Sequence, residues 1–193
     1  MIKHKDALVD PSWNIDEHNG SVLTGRVLGE IKAQTPPKRA PSPLYPTELR
    51  GARKSAMPTR LRPMLVTLSE RPFSDPHWLF EIKWDGVRSL AWIEDGKMKL
   101  RARAGSDITS QYPDLGGLPE AFSGPQGLID GEIAVLDRRG HSDFGKLQER
   151  MQVRNPGQKL LSEFPVVYFA FDLLYCDGCD LQAAPLSGTQ TAT

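Results

Sequence analysis

The chain has 193 residues, enough for one medium-sized domain and additional segments. Hydrophobic residues make up 39% and charged residues 25%, a composition that argues against a disordered, fibrous or membrane-embedded protein. The 24 Lys and Arg residues balance the 24 Asp and Glu residues, so no overall positive field attracts nucleic acid, and any contact with DNA must be local.

The first 34 residues predict only a short helix, with Thr24 as N-cap and apolar residues at helical spacing as far as Ile31. The amino terminus lacks the apolar core of a signal peptide. The longest apolar stretch, 166–175, is much shorter than the roughly 20 residues that a membrane span needs. We therefore expect a cytoplasmic protein that has no contact with a membrane.

Residues 35–63 are rich in proline, with basic residues between the prolines, which is typical of an extended linker. Glu48 is the only acid between Gln34 and Leu68. The simpler interpretation is a solvated linker with a basic bias, and the alternative is a segment that contacts phosphates. The basic residues are Lys38, Arg39, Arg50, Arg53, Lys54, Arg60 and Arg62.

Residues 64–181 predict a mainly antiparallel sheet. Asp-Gly pairs at 85–86 and 95–96 indicate turns, and residues 112–122 and 144–151 predict helices. A sheet of this kind needs a second layer over its other face, so we expect an α+β domain that is incomplete in this chain, followed by a disordered tail. The predicted strands are 79–83, 87–93, 98–103, 128–136 and 166–175.

The two cysteines, Cys176 and Cys179, have C-x-x-C spacing. A structural zinc ion needs four ligands, and the four histidines supply no second pair at zinc spacing. A redox pair normally opens a helix, whereas Asp177-Gly178 predicts a hairpin between these cysteines. Two reduced thiols are the expected state.

The strongest chemical signal is the stretch Lys83-Trp-Asp-Gly-Val-Arg88. A lysine is nucleophilic only when it is neutral, so it needs a neighbouring cation or desolvation, and Arg88 or a bound metal ion can provide the charge. The same stretch also fits a plain hairpin in which both Lys83 and Arg88 are solvated.

Three further groups have a functional and a structural interpretation each. Alternation sends Arg101 and Arg103 to one face of a strand, either as a phosphate clamp or as exposed charges. Asp130 and Glu132 interrupt an apolar strand, either to contact ribose or a cation or as part of a strand-edge turn. Phe171 either stacks on a purine base or packs in the core.

In this order, the four groups resemble the first motifs of the covalent nucleotidyltransferases, which include ATP-dependent DNA ligases and messenger RNA capping enzymes. The flanking residues 78–86 and 169–175 are similar to the ligase domain of bacterial end-joining DNA ligases and match capping enzymes less well. The resemblance covers nearly all of residues 1–181. It implies an incomplete, ATP-grasp-like adenylation domain of the α+β class, with a mainly antiparallel sheet.

The resemblance also implies a domain organisation. Residues 51–58 are similar to the join between two domains of the multidomain ligases. We expect a remnant of a phosphoesterase-like domain at 1–34, a Pro-rich basic linker at 35–63, the front part of the adenylation domain at 64–181 and a disordered tail at 182–193.

By the same resemblance, Lys83 attacks the α-phosphate of ATP, expels pyrophosphate and holds AMP. The AMP then passes to a 5′-phosphate at a DNA nick, and the 3′-hydroxyl attacks to seal the strand. Arg88 and Glu132 bind ribose, Phe171 binds adenine, and Arg103 contacts the nucleotide or the nick phosphate. The implied nucleotide-binding residues are Glu81, Arg88, Arg103, Glu132 and Phe171.

The implied cofactors are ATP and a divalent cation, Mg or Mn, with Glu132 as a metal ligand. The implied partners are nicked or broken double-stranded DNA and an end-binding protein of the Ku type. Ala102 stands where the family usually has serine, and nothing after Tyr175 resembles the later family motifs. We therefore expect a ligase fragment. The alternatives are a non-catalytic remnant that binds nucleotide or DNA weakly and a GTP-using enzyme of the capping type.

Overall fold

The computed structural model describes residues 46–65, 67, 71, 73, 80–122 and 124–186. The chain divides into two compact units, one formed by Met1–Ala40 and Leu65–Lys83, the other by Pro41–Met64 and Trp84–Thr193. Among the described residues, no helix is long and apolar enough to span a membrane. The helix predicted near residue 24 lies outside the described residues.

In the first unit, the described part includes residues 80–83, where the sequence predicts a strand. No strand forms over these four residues, so this part of the prediction is wrong. Phe80 and Ile82 are 63% and 55% exposed, so their alternation with polar residues does not mark a buried strand face. The Phe80 ring instead lies 5.8 Å from the ring of Phe73, at an angle of 58°.

The second unit contains a six-stranded sheet in which all neighbouring strands are antiparallel. Its spatial order is β1-β6-β5-β4-β2-β3. The antiparallel sheet with short helices confirms the predicted α+β class. The strands are β1 (Arg53–Lys54), β2 (Val87–Glu94), β3 (Lys97–Ala102), β4 (Gln126–Val135), β5 (Val166–Cys176) and β6 (Cys179–Asp180).

The helices of this unit are short. The predicted helix at 144–151 ends at Gln148, and its N-cap, Asp143, accepts a hydrogen bond from the backbone N–H of Lys146 at 3.1 Å. The predicted weak helix at 112–122 is divided into a 3₁₀ turn and a short α-helix, with Gly116 and Gly117 between them. The helices are α1 (Leu118–Ala121), α2 (Phe144–Gln148) and α3 (Gln158–Glu163), with 3₁₀ turns at Pro46–Glu48, Thr109–Gln111 and Pro113–Leu115.

The two hairpins predicted from Asp-Gly pairs after β2 and β5 are confirmed. Asp95 and Asp177 have φ values of 48° and 41°, in the left-handed region that tight two-residue hairpin turns require. The second turn makes Cys176 and Cys179 direct partners across the β5–β6 hairpin, where both are buried free thiols. Burial raises the pKa of Cys176 to about 12.

Alternation along β2 divides the apolar residues of the sheet between two faces. Ala91 and Ile93 join the larger core, which α2 covers with Leu147. Leu90 and Trp92 point to the opposite face, where they form a smaller cluster with residues of β4 and β5. Its other members are Leu128, Leu174 and Tyr175.

Residues 55–61, within the predicted linker, pack on this smaller cluster. Met57 and Leu61 contact the cluster, and the Trp92 indole N–H donates to the carbonyl of Pro58 at 2.8 Å. The Tyr175 hydroxyl donates to the carbonyl of Ser55 at 3.2 Å. These contacts hold residues 55–61 against the sheet, and the extended linker at 35–63 stays a prediction.

Candidate nucleotide-binding site

The site begins with an ion pair between neighbouring strands. Arg88 of β2 donates to both carboxylate oxygens of Asp130 on β4, from Nε at 3.0 Å and from Nη2 at 2.8 Å. The Arg88 side chain is 23% exposed and that of Asp130 only 4%. The hydrogen bond to Asp130 raises the pKa of Arg88, with smaller contributions from the charges of Glu132 and Asp172. Asp130 therefore holds the guanidinium in one orientation, and the guanidinium is permanently charged.

Phe171 lies beside this guanidinium. The register of β4 and β5 shifts between Asp130, which pairs with Asp172, and Gly131, which pairs with Ala170. Phe171 is therefore the additional residue of a β-bulge in β5. The Arg88 Cζ lies 5.2 Å from the centre of the Phe171 ring. Phe171 is half-buried and stays outside both core clusters, which argues against the interpretation as a core residue.

Phe171 and Asp172, which follow one another on β5, both affect Arg88, one through its ring and the other through its charge. The additional residue interrupts strict alternation at this point. Sequence spacing alone does not reveal a bulge.

Glu132 is half-buried on β4 and is the direct cross-strand partner of Arg88. Within the described residues, no group of three or more His, Cys, Asp or Glu side chains could hold a metal ion. Mg²⁺ commonly binds through one or two carboxylates together with substrate phosphates, so Glu132 still fits a cation that arrives with a nucleotide. The role of Glu132 as a metal ligand stays a prediction.

Trp84 and Phe169 form an aromatic pair that the sequence did not indicate. Their rings are stacked, with centres 3.6 Å apart and an interplanar angle of 6°. The backbone N–H of Asp85 donates to the hydroxyl of Ser142 at 3.1 Å. An added Cβ at Gly86 would collide with the carbonyl oxygen of Ile133. The start of β2 is therefore held closely against β4 and β5.

Arg101 and Arg103 do not share a strand. β3 ends at Ala102, and Arg103 lies in the following turn, where its backbone N–H donates to the carbonyl of Arg88 at 3.2 Å. Arg101 remains on the strand, with Cζ 5.4 Å from the centre of the Trp92 ring. The prediction that both arginines lie on one strand is therefore wrong, and the phosphate clamp stays a prediction. The contact of Arg103 with nucleotide stays a prediction.

Lys83 and Glu81 belong to the first unit and are both exposed. Lys83 directly precedes Trp84 in the chain. The predicted roles of both residues, Lys83 as nucleophile and Glu81 near adenine, stay predictions.

Tyr168 supports the site, and the sequence did not indicate it. Its hydroxyl lies 3.0 Å from the carbonyl oxygen of Ser89 and 3.1 Å from that of Ile129. Burial of the hydroxyl strongly raises the pKa of Tyr168. The neutral phenol thus contacts β2 and β4 from β5, next to the strand positions of Arg88 and Asp130. In the sequence, only the aromatic residues of the strand that became β5 indicated a role for Tyr168.

Known proteins resemble this chain over most of its length. Residues 63–191 match the family described as ATP dependent DNA ligase domain. The "Multifunctional non-homologous end joining DNA repair protein LigD" of Mycobacterium tuberculosis H37Rv is 40% identical over 119 residues, covering 61% of this chain and 14% of that protein. The "Multifunctional non-homologous end joining protein LigD" of Pseudomonas aeruginosa is 34% identical over 193 residues, covering 96% of this chain and 21% of that protein. A solved structure of mycobacterial DNA ligase D complexed with ATP and MES is 38% identical, with a TM-score of 0.42. The match covers 51% of this chain and 29% of the solved chain.

The chain belongs to the ATP-dependent DNA ligase domain family, because the family match covers well over half of its residues. The predicted resemblance to ligases of bacterial end joining is confirmed, since both relatives are LigD proteins. By family, residues 63–191 thus form an ATP-dependent DNA ligase domain. The chain spans less than a quarter of the length of either relative.

Proposed function

We propose that this chain uses ATP to adenylate Lys83 and transfers the AMP to a 5′-phosphate at a break in duplex DNA. The observation that carries the proposal is the arrangement of Arg88, which Asp130 holds through two hydrogen bonds beside the ring of Phe171. A fixed cation next to a half-buried aromatic ring suits a nucleoside, whose base stacks and whose sugar accepts hydrogen bonds.

In this proposal adenine stacks on Phe171, and Arg88 and Glu132 contact the ribose hydroxyls. Arg88 carries its charge at every physiological pH because the bond to Asp130 raises its pKa further. Asp130 is a positioning residue, since its carboxylate is nearly buried and occupied by Arg88. Glu81 and Arg103 are proposed as additional nucleotide contacts.

The first chemical step forms a bond between the Lys83 nitrogen and the α-phosphorus of ATP. The bond from that phosphorus to the bridging oxygen breaks, pyrophosphate leaves with the electron pair, and the amine loses a proton. A divalent cation, Mg or Mn, bound by Glu132 and the phosphates would neutralise charge. Catalysis then depends mainly on in-line positioning.

In the second step AMP passes from Lys83 to the 5′-phosphate of the break, and the lysine is released. A 3′-hydroxyl then attacks that phosphate, forms the phosphodiester bond and expels AMP. The names of the LigD relatives describe multifunctional end joining. We therefore propose broken double-stranded DNA as the substrate and an end-binding protein of the Ku type as partner.

The first test is labelling by ATP that carries radioactive α-phosphate. Wild-type protein should retain the label after denaturation, Lys83→Ala should not, and Lys159→Ala, which removes an exposed lysine of α3, should label normally. The label should release AMP in acid, as a phosphoramidate does. Equal labelling of wild type and Lys83→Ala would eliminate Lys83 as the nucleophile, and labelling by GTP instead of ATP would favour a capping-type enzyme.

A thermal-shift measurement separates nucleotide binding from chemistry. If the site binds ATP, saturating ATP raises the melting temperature by mass action. The shift should persist in Lys83→Ala and shrink in Phe171→Ala, which removes the proposed stacking ring. A shift without any labelling of the wild type would favour the non-catalytic alternative.

A further inference from the structure

Arginines from two distant parts of the sequence meet in one hollow of the second unit. The hollow has a volume of about 380 Å³, and its described lining includes Arg60, Arg62 and Arg101 together with Ala104 and Gly105. Three of these described residues are cationic and none is acidic. Arg60 and Arg62 come from the segment for which the sequence predicts a solvated linker.

The packing of that segment explains how the arginines converge. Leu61, between Arg60 and Arg62, packs on the cluster that contains Trp92, and Trp92 donates its indole N–H to Pro58. The arginines on either side of Leu61 are exposed. On the sheet, Arg101 is held over the Trp92 ring at 5.4 Å. Trp92 therefore contacts both the segment that carries Arg60 and Arg62 and the strand residue Arg101.

The positive charge of this hollow is not neutralised by described neighbours. Among the described residues, neither Arg60 nor Arg62 forms a salt bridge. The Arg101 guanidinium lies over the Trp92 ring, and the Arg101 backbone pairs with Leu90 and Asp107. The Asp107 carboxylate accepts hydrogen bonds from Thr109 and lies 3.6 Å from Lys99. Three guanidinium groups around one hollow, without a carboxylate among its described lining, are suited to an anion with several oxygens.

We infer that Arg60, Arg62 and Arg101 form a site for a backbone phosphate of the duplex DNA substrate. The inference rests on the proposed function for its choice of DNA. The chain has no net charge, so DNA affinity must come from local sites of this kind. A phosphate contact fixes the position of the duplex on the protein without reading its sequence. The triphosphate of ATP carries the same kind of anionic oxygens and is the alternative ligand for this site.

The test measures binding of a nicked duplex at several salt concentrations. Arg60→Gln/Arg62→Gln should weaken DNA binding about tenfold or more. It should also reduce the slope of log affinity against log salt by about one for each phosphate that the variant no longer neutralises. Arg101→Gln should weaken binding in the same direction. Arg60→Lys/Arg62→Lys should retain most of the affinity, because lysine still binds phosphate as a point charge.

The matched control is Arg138→Gln/Arg139→Gln, which removes the same charge from two arginines in the turn after β4. An equal loss of affinity in this control would overturn the inference, because net charge would then explain the effect. Unchanged DNA affinity in Arg60→Gln/Arg62→Gln would also overturn it. Thermal unfolding of each variant verifies that the fold is retained.

A second readout separates this inference from the proposed function. ATP labelling and the ATP thermal shift should be the same in Arg60→Gln/Arg62→Gln as in wild type, and a loss of ATP binding equal to the loss of DNA binding would assign the site to the nucleotide. If Lys83 is never labelled, the proposed function fails, yet a selective loss of DNA binding would still support the phosphate site.

Discussion

Arg88 and Asp130 form a two-point ion pair between β2 and β4, with Nε and Nη2 of the arginine bonded to the two carboxylate oxygens at 3.0 and 2.8 Å. The two residues are 42 positions apart in the chain. Their pairing connects the start of β2 with the acidic stretch on β4. Since Asp130 occupies one edge of the guanidinium, the orientation of the site depends on this residue as well as on Arg88.

Asp130→Asn should destabilise the protein by about 1.5–3 kcal/mol, because it leaves a partly buried guanidinium with one neutral acceptor. The free energy of unfolding from urea titration measures this change. The control is Asp95→Asn, because Asp95 is exposed and asparagine tolerates the same left-handed φ of 48°. A loss in Asp130→Asn no larger than in the control would contradict the structural importance of the pair.

Gly86→Ala should destabilise the protein by about 1–3 kcal/mol, because its Cβ would collide with the backbone of Ile133 on the neighbouring strand. An ATP thermal shift measured in parallel should shrink, as the start of β2 moves away from β4. Gly117→Ala is the matched control, since its added Cβ would have no neighbour within 4 Å. A stability of Gly86→Ala equal to that of the control would show that the strands separate without cost.

Arg150→Met should destabilise the protein by about 3–5 kcal/mol, because it removes one partner of a buried ion pair. The Arg150 side chain is fully buried and bonds to both carboxylate oxygens of Asp114, at 3.0 and 2.8 Å, and to the carbonyl of Phe164 at 2.7 Å. Urea unfolding is the measurement, with Arg154→Met as the control because Arg154 is exposed. Equal stability of both variants would refute this structural role.

The protein should lose stability in acid as aspartates with a lowered pKa, Asp107 and Asp143 among them, become protonated. Hydrogen bonds from Thr109 lower the pKa of Asp107 below its ordinary value of 3.8, and the backbone N–H of Lys146 lowers that of Asp143. The unfolded state therefore binds protons first, so this stability is complete above about pH 4 and declines as the pH falls through the lower folded values.

The measurement for this prediction is the urea midpoint between about pH 7 and about pH 2.5, a range that spans the titration of both carboxyl groups. Asp107→Asn/Asp143→Asn should have a lower midpoint at neutral pH and a shallower decline in acid. Glu149→Gln, which removes an exposed acid, should retain the wild-type slope. A decline in the double variant as steep as in wild type would show that other groups cause the acid sensitivity.

Local sequence was sufficient for the hairpins and for the periodicity of the central strands. Asp95-Gly96 and Asp177-Gly178 adopt the turns that their chemistry predicts, and β2 and β5 end within one residue of the predicted bounds. The bulge at Phe171 could not be predicted from the sequence, because a bulge depends on how two strands pair and not on either strand alone. Alternation failed at 80–83, where exposed apolar residues imitate the pattern of a strand.

The sequence by itself determined the family, because the order of the motifs from Lys83 to Phe171 can be recognised from the residues alone. Only the tertiary structure decided which charges meet: Arg88 with Asp130, Arg150 with Asp114, and Arg60 with Arg101. The physical reason is that a turn or an alternating strand is set by neighbours a few residues apart. An ion pair or a cationic hollow depends instead on packing between segments that the chain separates by 36 residues or more.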